Sequence, residues 1–145
     1  MRKRSFALAI ISAGTTAALV TASTGAFAAT ATTTTMFRHS QDAPGVMGVA
    51  GEVSPAPGTT PKVVVSLFKK RSDGSWALRD RRRATWGDAT GEGRSFTASM
   101  QHAPSKGTCK LIAKYPGNDA YAKSRDKDII DCKTGAPKSS LPQSG

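Results

Sequence analysis

The chain has 145 residues, enough for one domain, and its 21 Lys and Arg against 10 Asp and Glu give a formal net charge of +11. A charge of this sign and size favours contact with anionic surfaces such as wall polymers, anionic polysaccharide or nucleic acid, although solubility alone would also explain it. Two cysteines with no further ligands nearby argue against a zinc site, and we predict neither a metal nor a cofactor.

Residues 1–28 have the pattern of a secretory signal peptide. Three basic residues at positions 2–4 precede an apolar run over residues 6–20, and small residues lead up to Ala28. Ser, Gly and Thr interrupt the run, which is too short for a membrane-spanning helix of about 20 apolar residues. We therefore expect cleavage after Ala28, secretion with attachment to the cell wall as an option, and no stable membrane insertion. Since only three basic residues and no acids lie before this site, the mature chain keeps a charge of about +8.

The mature chain divides by composition into three parts. Residues 29–44 begin with a run of Thr and predict a flexible spacer, and residues 135–145 hold two prolines with almost nothing to bury, which predicts a disordered tail. Between them, residues 45–134 alternate short apolar runs with turn residues. The predicted strands are 46–53, 62–69, 76–80, 83–86, 96–100, 108–115 and 121–132.

Alternation within these runs predicts an all-β fold. Val63, Val65 and Leu67 share one face of a strand, and an Asp73-Gly74 turn follows them. No stretch after Ala29 sustains a helical period long enough for an amphipathic helix. Short strands at this spacing are typical of a β-sandwich, here of about seven antiparallel strands.

Cys109 and Cys132 are predicted to form a disulfide, because two thiols in an exported domain are usually oxidised. If the last two strands form a hairpin, a register that sets the two cysteines opposite each other also sets Leu111 opposite Ile130. The alternation, the hairpin and the bridge then agree with one another.

The segment 107–124, GTCKLIAKYPGNDAYAKS, resembles the end of bacterial Ig-like domains, which often carry Gly-x-Tyr-x-Leu-x-Ala-x-Tyr-x-Gly-Asp-x-x-Tyr-x-x-Ser. Cys109 stands where Tyr is common, and Asn118 where Asp is common. Residues 63–69 with 73–76 look like the middle strand pair of that family, and residues 93–96 like its Gly-x-Phe strand start. The resemblance covers residues 46–134. It implies an immunoglobulin-like β-sandwich that serves as a spacer or binding module, and the cysteine pair and charge suggest a small secreted actinobacterial type.

We predict that the protein is not an enzyme. Ser99, His102 and Asp88 could be imagined as a hydrolytic triad, but no nucleophile-elbow motif accompanies them. Asp126, Asp128 and Asp131 are interleaved with basic residues, which is typical of a solvated strand rather than a calcium loop.

The strongest functional signal is a basic hairpin with two tryptophans. Lys and Arg on both sides of the Asp73-Gly74 turn would form one cationic patch, where a Trp could stack on a sugar or base. Alternatively, the tryptophans belong to the core and the charges protect an edge strand from pairing. The candidate ligand-binding residues are Lys69, Lys70, Arg71, Arg79, Arg81, Arg82, Arg83, Trp76 and Trp86.

Two functions remain open at this point. The first is a secreted, non-catalytic binding module that associates with a cell-surface ligand, either an anionic wall polymer or a polysaccharide. The second is a secreted protein-binding factor, an inhibitor or partner of an extracellular enzyme, with residues 84–94 or 54–61 as the binding loop. No signature of a nucleic-acid-binding module is present, so we expect no specific nucleic-acid partner.

Overall fold

The computed structural model of the chain describes residues 28–138. The predicted signal peptide lies outside the described residues except for Ala28, and so do residues 139–145 of the predicted tail.

Eight strands form two antiparallel four-stranded sheets, which confirms the predicted all-β sandwich. One sheet has the order β1-β2-β6-β5 and the other β4-β3-β7-β8. The strands are β1 (Thr33–Ala43), β2 (Val46–Ser54), β3 (Val64–Lys70), β4 (Trp76–Arg83), β5 (Thr85–Ala89), β6 (Arg94–Met100), β7 (Thr108–Tyr115) and β8 (Ser124–Asp131).

The core lies between the two sheets and follows the predicted alternation. Every second residue of β2 is buried, and the same holds for β7, because successive side chains of a strand point to opposite faces. Phe96 of β6 is the largest buried side chain that the first sheet contributes, and Tyr115 of β7 the largest from the second. The other fully buried residues include Met47, Val53, Val65, Leu67, Met100, Leu111 and Ile130.

The predicted spacer is wrong, because most of residues 29–44 form β1. This strand pairs with β2 along its whole length, and Thr34 and Met36 are buried. A Thr run is compatible with a strand, since β-branched residues fit a pleated sheet and a hydroxyl can be buried when it is hydrogen-bonded. The hydroxyl of Thr34 lies 2.7 Å from that of Ser124 on β8. This eighth strand explains why the predicted count was one short.

Side-chain hydrogen bonds join β1 to β8 at one edge of the sandwich. The Met36 amide donates to Asp126 (2.8 Å), and the nearly buried His39 lies with Nε2 3.0 Å from Asp128 and Nδ1 2.6 Å from the Gly135 carbonyl. These contacts turn the acidic side chains of β8 toward the first sheet.

The predicted disulfide is present, but the predicted hairpin register is wrong by two residues. Cys109 pairs with Ile130, and Leu111 with Asp128. The bridge therefore runs diagonally from β7 to Cys132, one residue beyond β8, with the two Cα atoms 5.0 Å apart. Such a diagonal is within the usual reach of a disulfide.

The beginning of the predicted tail is also ordered. Pro137 forms a bridge with Ile130 of β8, and the Lys138 amide donates to the Ile129 carbonyl (2.8 Å). Residues 136–138 thus cover part of the β8 edge, which otherwise would present unpaired backbone groups.

Candidate functional site

The predicted basic hairpin exists as β3 and β4, joined by the predicted turn. Asp73 accepts hydrogen bonds from the amide and the hydroxyl of Ser75, and Gly74 has a φ of 89°. The bonds from Ser75 lower the pKa of the Asp73 carboxyl. β4 is an edge strand, and Arg79 is the extra residue of a bulge within it. The positive charge of Arg79 therefore suits the protection of this edge strand from pairing with another chain.

The rest of the predicted patch is divided between different surfaces. Lys69 lies along Gly107, and Arg71 donates to Ser75 within the turn. Of the three successive arginines, Arg81 donates from Nε to the Ser66 hydroxyl (3.0 Å) on the outer side of β3. Arg82 and Arg83 line a groove on the other sheet. The structure does not bring the nine predicted residues together as one patch.

Trp86 belongs to the core rather than to a binding surface. It lies on β5, in the sheet opposite the hairpin, and its ring makes edge contacts with Phe96 (6.4 Å) and Tyr115 (6.2 Å). Its indole Nε1 donates to the Pro61 carbonyl (3.3 Å). A partly buried aromatic ring that packs against two core aromatic rings and has its polar atom hydrogen-bonded serves packing.

A larger cationic surface appears on the outer face of the sheet β4-β3-β7-β8. Directly paired residues of antiparallel strands point to the same side, so the register defines the face. Ser66 pairs with Arg81 on one side and Ile112 on the other, and Ile112 pairs with Lys127. We call this surface the basic face. Its cations are Lys70, Arg81, Lys110, Lys114, Arg125 and Lys127. Arg83, which pairs with Val64 at the end of β4, lies at the border of this face and also lines the groove on the other sheet.

Alternation within β8 separates its charges. Arg125 and Lys127 point to the basic face, whereas Asp126 and Asp128 point to β1 and accept the hydrogen bonds described above. Among the residues that the structure describes, Asp131 is the one acid paired into the basic face. It lies at the end of β8, where its carboxylate accepts hydrogen bonds from Thr134. These bonds lower the pKa of the Asp131 carboxyl. The face therefore keeps a strong excess of positive charge.

One half of the basic face is apolar. Lys110 extends over the Trp76 and Phe68 rings, with Nζ 4.6 Å and 4.9 Å from their centroids, and Lys70 lies 6.0 Å from Trp76. Leu78 is 48% exposed on the same face. Aromatic rings hold these ammonium groups in place while leaving them accessible to an anion.

The other half is concave. A pocket of about 380 Å³ is lined by Lys114, Lys123, Ser124 and Arg125. Three cations around one pocket repel one another within a Debye length of about 8 Å at physiological salt, and a bound anion would relieve this repulsion.

Edge protection does not account for the basic face. Lys110 and Lys114 belong to β7, which lies inside the sheet between β3 and β8. A strand inside a sheet has both edges paired and needs no such protection.

Asp80 fixes the position of Arg82. The Asp80 side chain is only 13% exposed, and its Oδ2 accepts from Arg82 Nε (2.7 Å) and from the Gln101 amide (2.6 Å). The Arg81 amide donates to Oδ1 (2.9 Å). Burial raises the pKa of this carboxyl, but these hydrogen bonds and the positive charge of Arg82 outweigh it and hold the pKa below its usual value.

A carboxyl with a lowered pKa in the folded state stabilises the fold above the unfolded pKa, and this contribution is lost as pH falls through the folded pKa. We expect Asp80→Asn to lower the free energy of unfolding by about 1 to 3 kcal/mol near neutral pH. The difference from the wild-type protein should shrink as the pH falls from about 5 toward 2. Urea titrations at neutral and acidic pH measure this difference in the free energy of unfolding. A difference that does not change with pH would contradict the proposed role of the ionised Asp80 carboxylate.

The residues considered for catalysis and metal binding serve other roles or lie apart. In residues 28–138, Ser99 lines the groove on the first sheet, and no three His, Cys, Asp or Glu side chains are grouped as metal ligands. Within the same part of the chain, no helix is long and apolar enough to cross a membrane.

No protein-family model, curated protein or solved structure matches this chain.

Proposed function

We propose that this protein is a secreted, non-catalytic Ig-like binding module whose basic face attaches to an anionic polymer of the cell surface. The observation that carries the proposal is the convergence of six cations from four strands on one face. A row of cations on an open sheet suits a long polyanion, because many weak contacts add along the chain while each counterion released favours binding.

The apolar half of the face suits a polymer that contains sugar rings. Trp76 and Phe68 form a partly exposed aromatic surface beside Lys70 and Lys110. Aromatic rings offer an apolar surface to the C–H face of a sugar while neighbouring cations contact its anionic groups. A wall polymer or polysaccharide that alternates sugars with anionic groups therefore matches both halves.

Strand order supports the Ig-like part of the proposal. If β1 to β8 are labelled A, B, C, C′, D, E, F and G, the two sheets have the orders A-B-E-D and C′-C-F-G. The immunoglobulin arrangement places A, B, E and D in one sheet and C, F and G in the other, with C′ added to the second in some types. The disulfide differs from that of antibody domains, since it lies within the F–G hairpin rather than between the sheets.

The proposal of export rests on two features. Residues 1–28 have the pattern of a signal peptide. The Cys109–Cys132 disulfide is compatible with an extracellular protein, because disulfides persist in oxidising compartments.

Co-sedimentation with isolated cell wall tests the proposed function. We expect the protein to sediment with the wall at low salt and to stay largely in solution at salt well above the physiological level, because exposed charges are screened. Walls stripped of their anionic polymers should bind little of it at either concentration. Equal binding to stripped and intact walls would contradict the proposal.

The exposed apolar half of the face favours a second candidate, a protein-binding factor. Leu78, Ile112 and Ile129 lie on the same face as Trp76 and would serve as anchors for a partner protein. Of the two binding loops considered for such a factor, residues 84–94 contain the strand β5, which pairs with β6. A stoichiometric protein recovered from culture medium at high salt would favour this candidate over the polymer.

A further inference from the structure

The outer face of the other sheet, β1-β2-β6-β5, carries a groove of about 430 Å³. Small side chains form most of its floor, because Gly48 and Ala50 of β2 pair with Ser99 and Thr97 of β6, and the Asp42 carboxylate lies over Gly48. Longer side chains on β1 and at the β4–β5 crossover form the walls. Small residues on the floor and longer side chains on the walls leave room for an extended ligand that lies along the groove.

Three arginine residues line this groove. Arg38 stands on the β1 wall, and Arg82 and Arg83 stand on the wall opposite. Within residues 28–138, neither Arg38 nor Arg83 forms an ion pair with an acid. Asp80 holds Arg82 through Nε, and in the described part of the chain the Nη atoms of Arg82 make no hydrogen bond. The three arginines are thus available to an anion, and Arg82 is fixed in position by Asp80.

The remaining polar groups of the groove favour hydroxyls rather than further negative charge. Ser40, Thr85, Thr97 and Ser99 supply hydroxyl groups to the lining. The Asp42 side chain reaches over Gly48 on the floor, where its carboxylate accepts a hydrogen bond from the Ser40 hydroxyl (2.7 Å). Its carboxylate would repel a densely charged ligand such as a polyphosphate but would accept hydrogen bonds from sugar hydroxyls.

We infer that this groove is a second binding site, separate from the basic face, and that it takes an acidic saccharide with one carboxylate per sugar. The carboxylate lies between Arg38 and Arg83, where guanidinium forks match its two oxygens. A hydroxyl of a neighbouring sugar donates to Asp42. None of the six basic-face cations lines the groove, although Arg83, which does line it, pairs with Val64 at the border of the basic face.

Titration with a hexamer of α-1,4-linked galacturonic acid tests this inference, with the amides of Gly48, Thr97 and Ser99 followed by NMR. We expect these amides to shift with the acidic hexamer and not with its methyl ester. Arg38→Ser and Arg83→Ser should each weaken binding about tenfold, as expected for the loss of a charge-assisted hydrogen bond. Ala50→Phe, which fills the floor from an outward-facing position, should abolish binding while the fold is retained.

Asp42→Ala separates a saccharide from a bare anion. If Asp42 accepts a sugar hydroxyl, this variant should bind the hexamer about three- to tenfold more weakly. Lys106→Ser, on an exposed loop outside the groove, is the matched control and should leave the affinity within about twofold. Tighter binding by Asp42→Ala, equal binding of the methyl ester, or preference for tripolyphosphate would each overturn the inference. Binding unaffected by Ala50→Phe would also do so.

Discussion

Replacing Cys109 and Cys132 together by Ala is expected to lower the free energy of unfolding by about 3 kcal/mol. The bridge closes a loop with a sequence separation of 23 residues and so restricts the unfolded chain. It also fixes the end of the β7–β8 hairpin, where the Gln41 side chain donates to the Cys132 carbonyl (2.8 Å) and the Cys132 amide to Gly107 (2.9 Å). A loss of this size is a large share of the total stability of a domain, which is typically about 5 to 15 kcal/mol.

Urea unfolding with and without reductant measures this effect. Reductant should destabilise the wild-type protein by about the same amount, roughly 3 kcal/mol, and should leave the double Ala variant unchanged. A loss below about 1 kcal/mol would mean that the hairpin is held by its strand pairing alone.

The second large effect is expected on binding. Changing Lys114, Arg125 and Lys127 together to Ser should weaken attachment to an anionic wall polymer about 100-fold. Each Lys or Arg at an anionic surface contributes about 1 kcal/mol, and about 1.4 kcal/mol corresponds to tenfold in affinity. All three side chains are exposed, so the free energy of unfolding should change by less than about 0.5 kcal/mol.

A second triple variant provides the control. Lys62, Lys106 and Lys133 are also exposed and lie outside the basic face, so their replacement by Ser changes the net charge by the same amount. We expect this control to weaken binding less than about threefold. If both triple variants lose affinity equally, the overall charge rather than the basic face attracts the polymer.

Most strands could be read from the sequence because their local patterns are strong. The β7 bounds and the buried set from Cys109 to Tyr115 match the predicted alternation. β1 was missed because a Thr run has no apolar alternation, and its burial depends on partners far away in the chain, such as Ser124 and Asp126. The hairpin register was missed because a disulfide can join diagonal as well as directly opposite positions.

The candidate site could be predicted only in part for a similar reason. The basic hairpin is continuous in sequence and is visible as a cluster of Lys and Arg. Four of the six basic-face cations lie on β7 and β8, where they alternate with apolar or acidic residues and show no cluster. The strand order and the register are what place them beside Lys70 and Arg81. The sequence did offer one signal, since Lys110 and Lys114 point outward from β7. It would have indicated the basic face only if β7 had been predicted to lie inside the sheet.

The salt dependence of binding to a soluble anionic wall polymer tests the central claim most directly. If the basic face neutralises anionic groups, the logarithm of the binding constant should fall linearly with the logarithm of salt concentration, with a slope of about −4 to −5 for six cations. In the Lys114, Arg125 and Lys127 triple variant, the slope should become shallower by about 2 to 3, and in the control variant it should be unchanged. A slope near zero in the wild-type protein, or the same slope in both triple variants, would contradict attachment through the basic face.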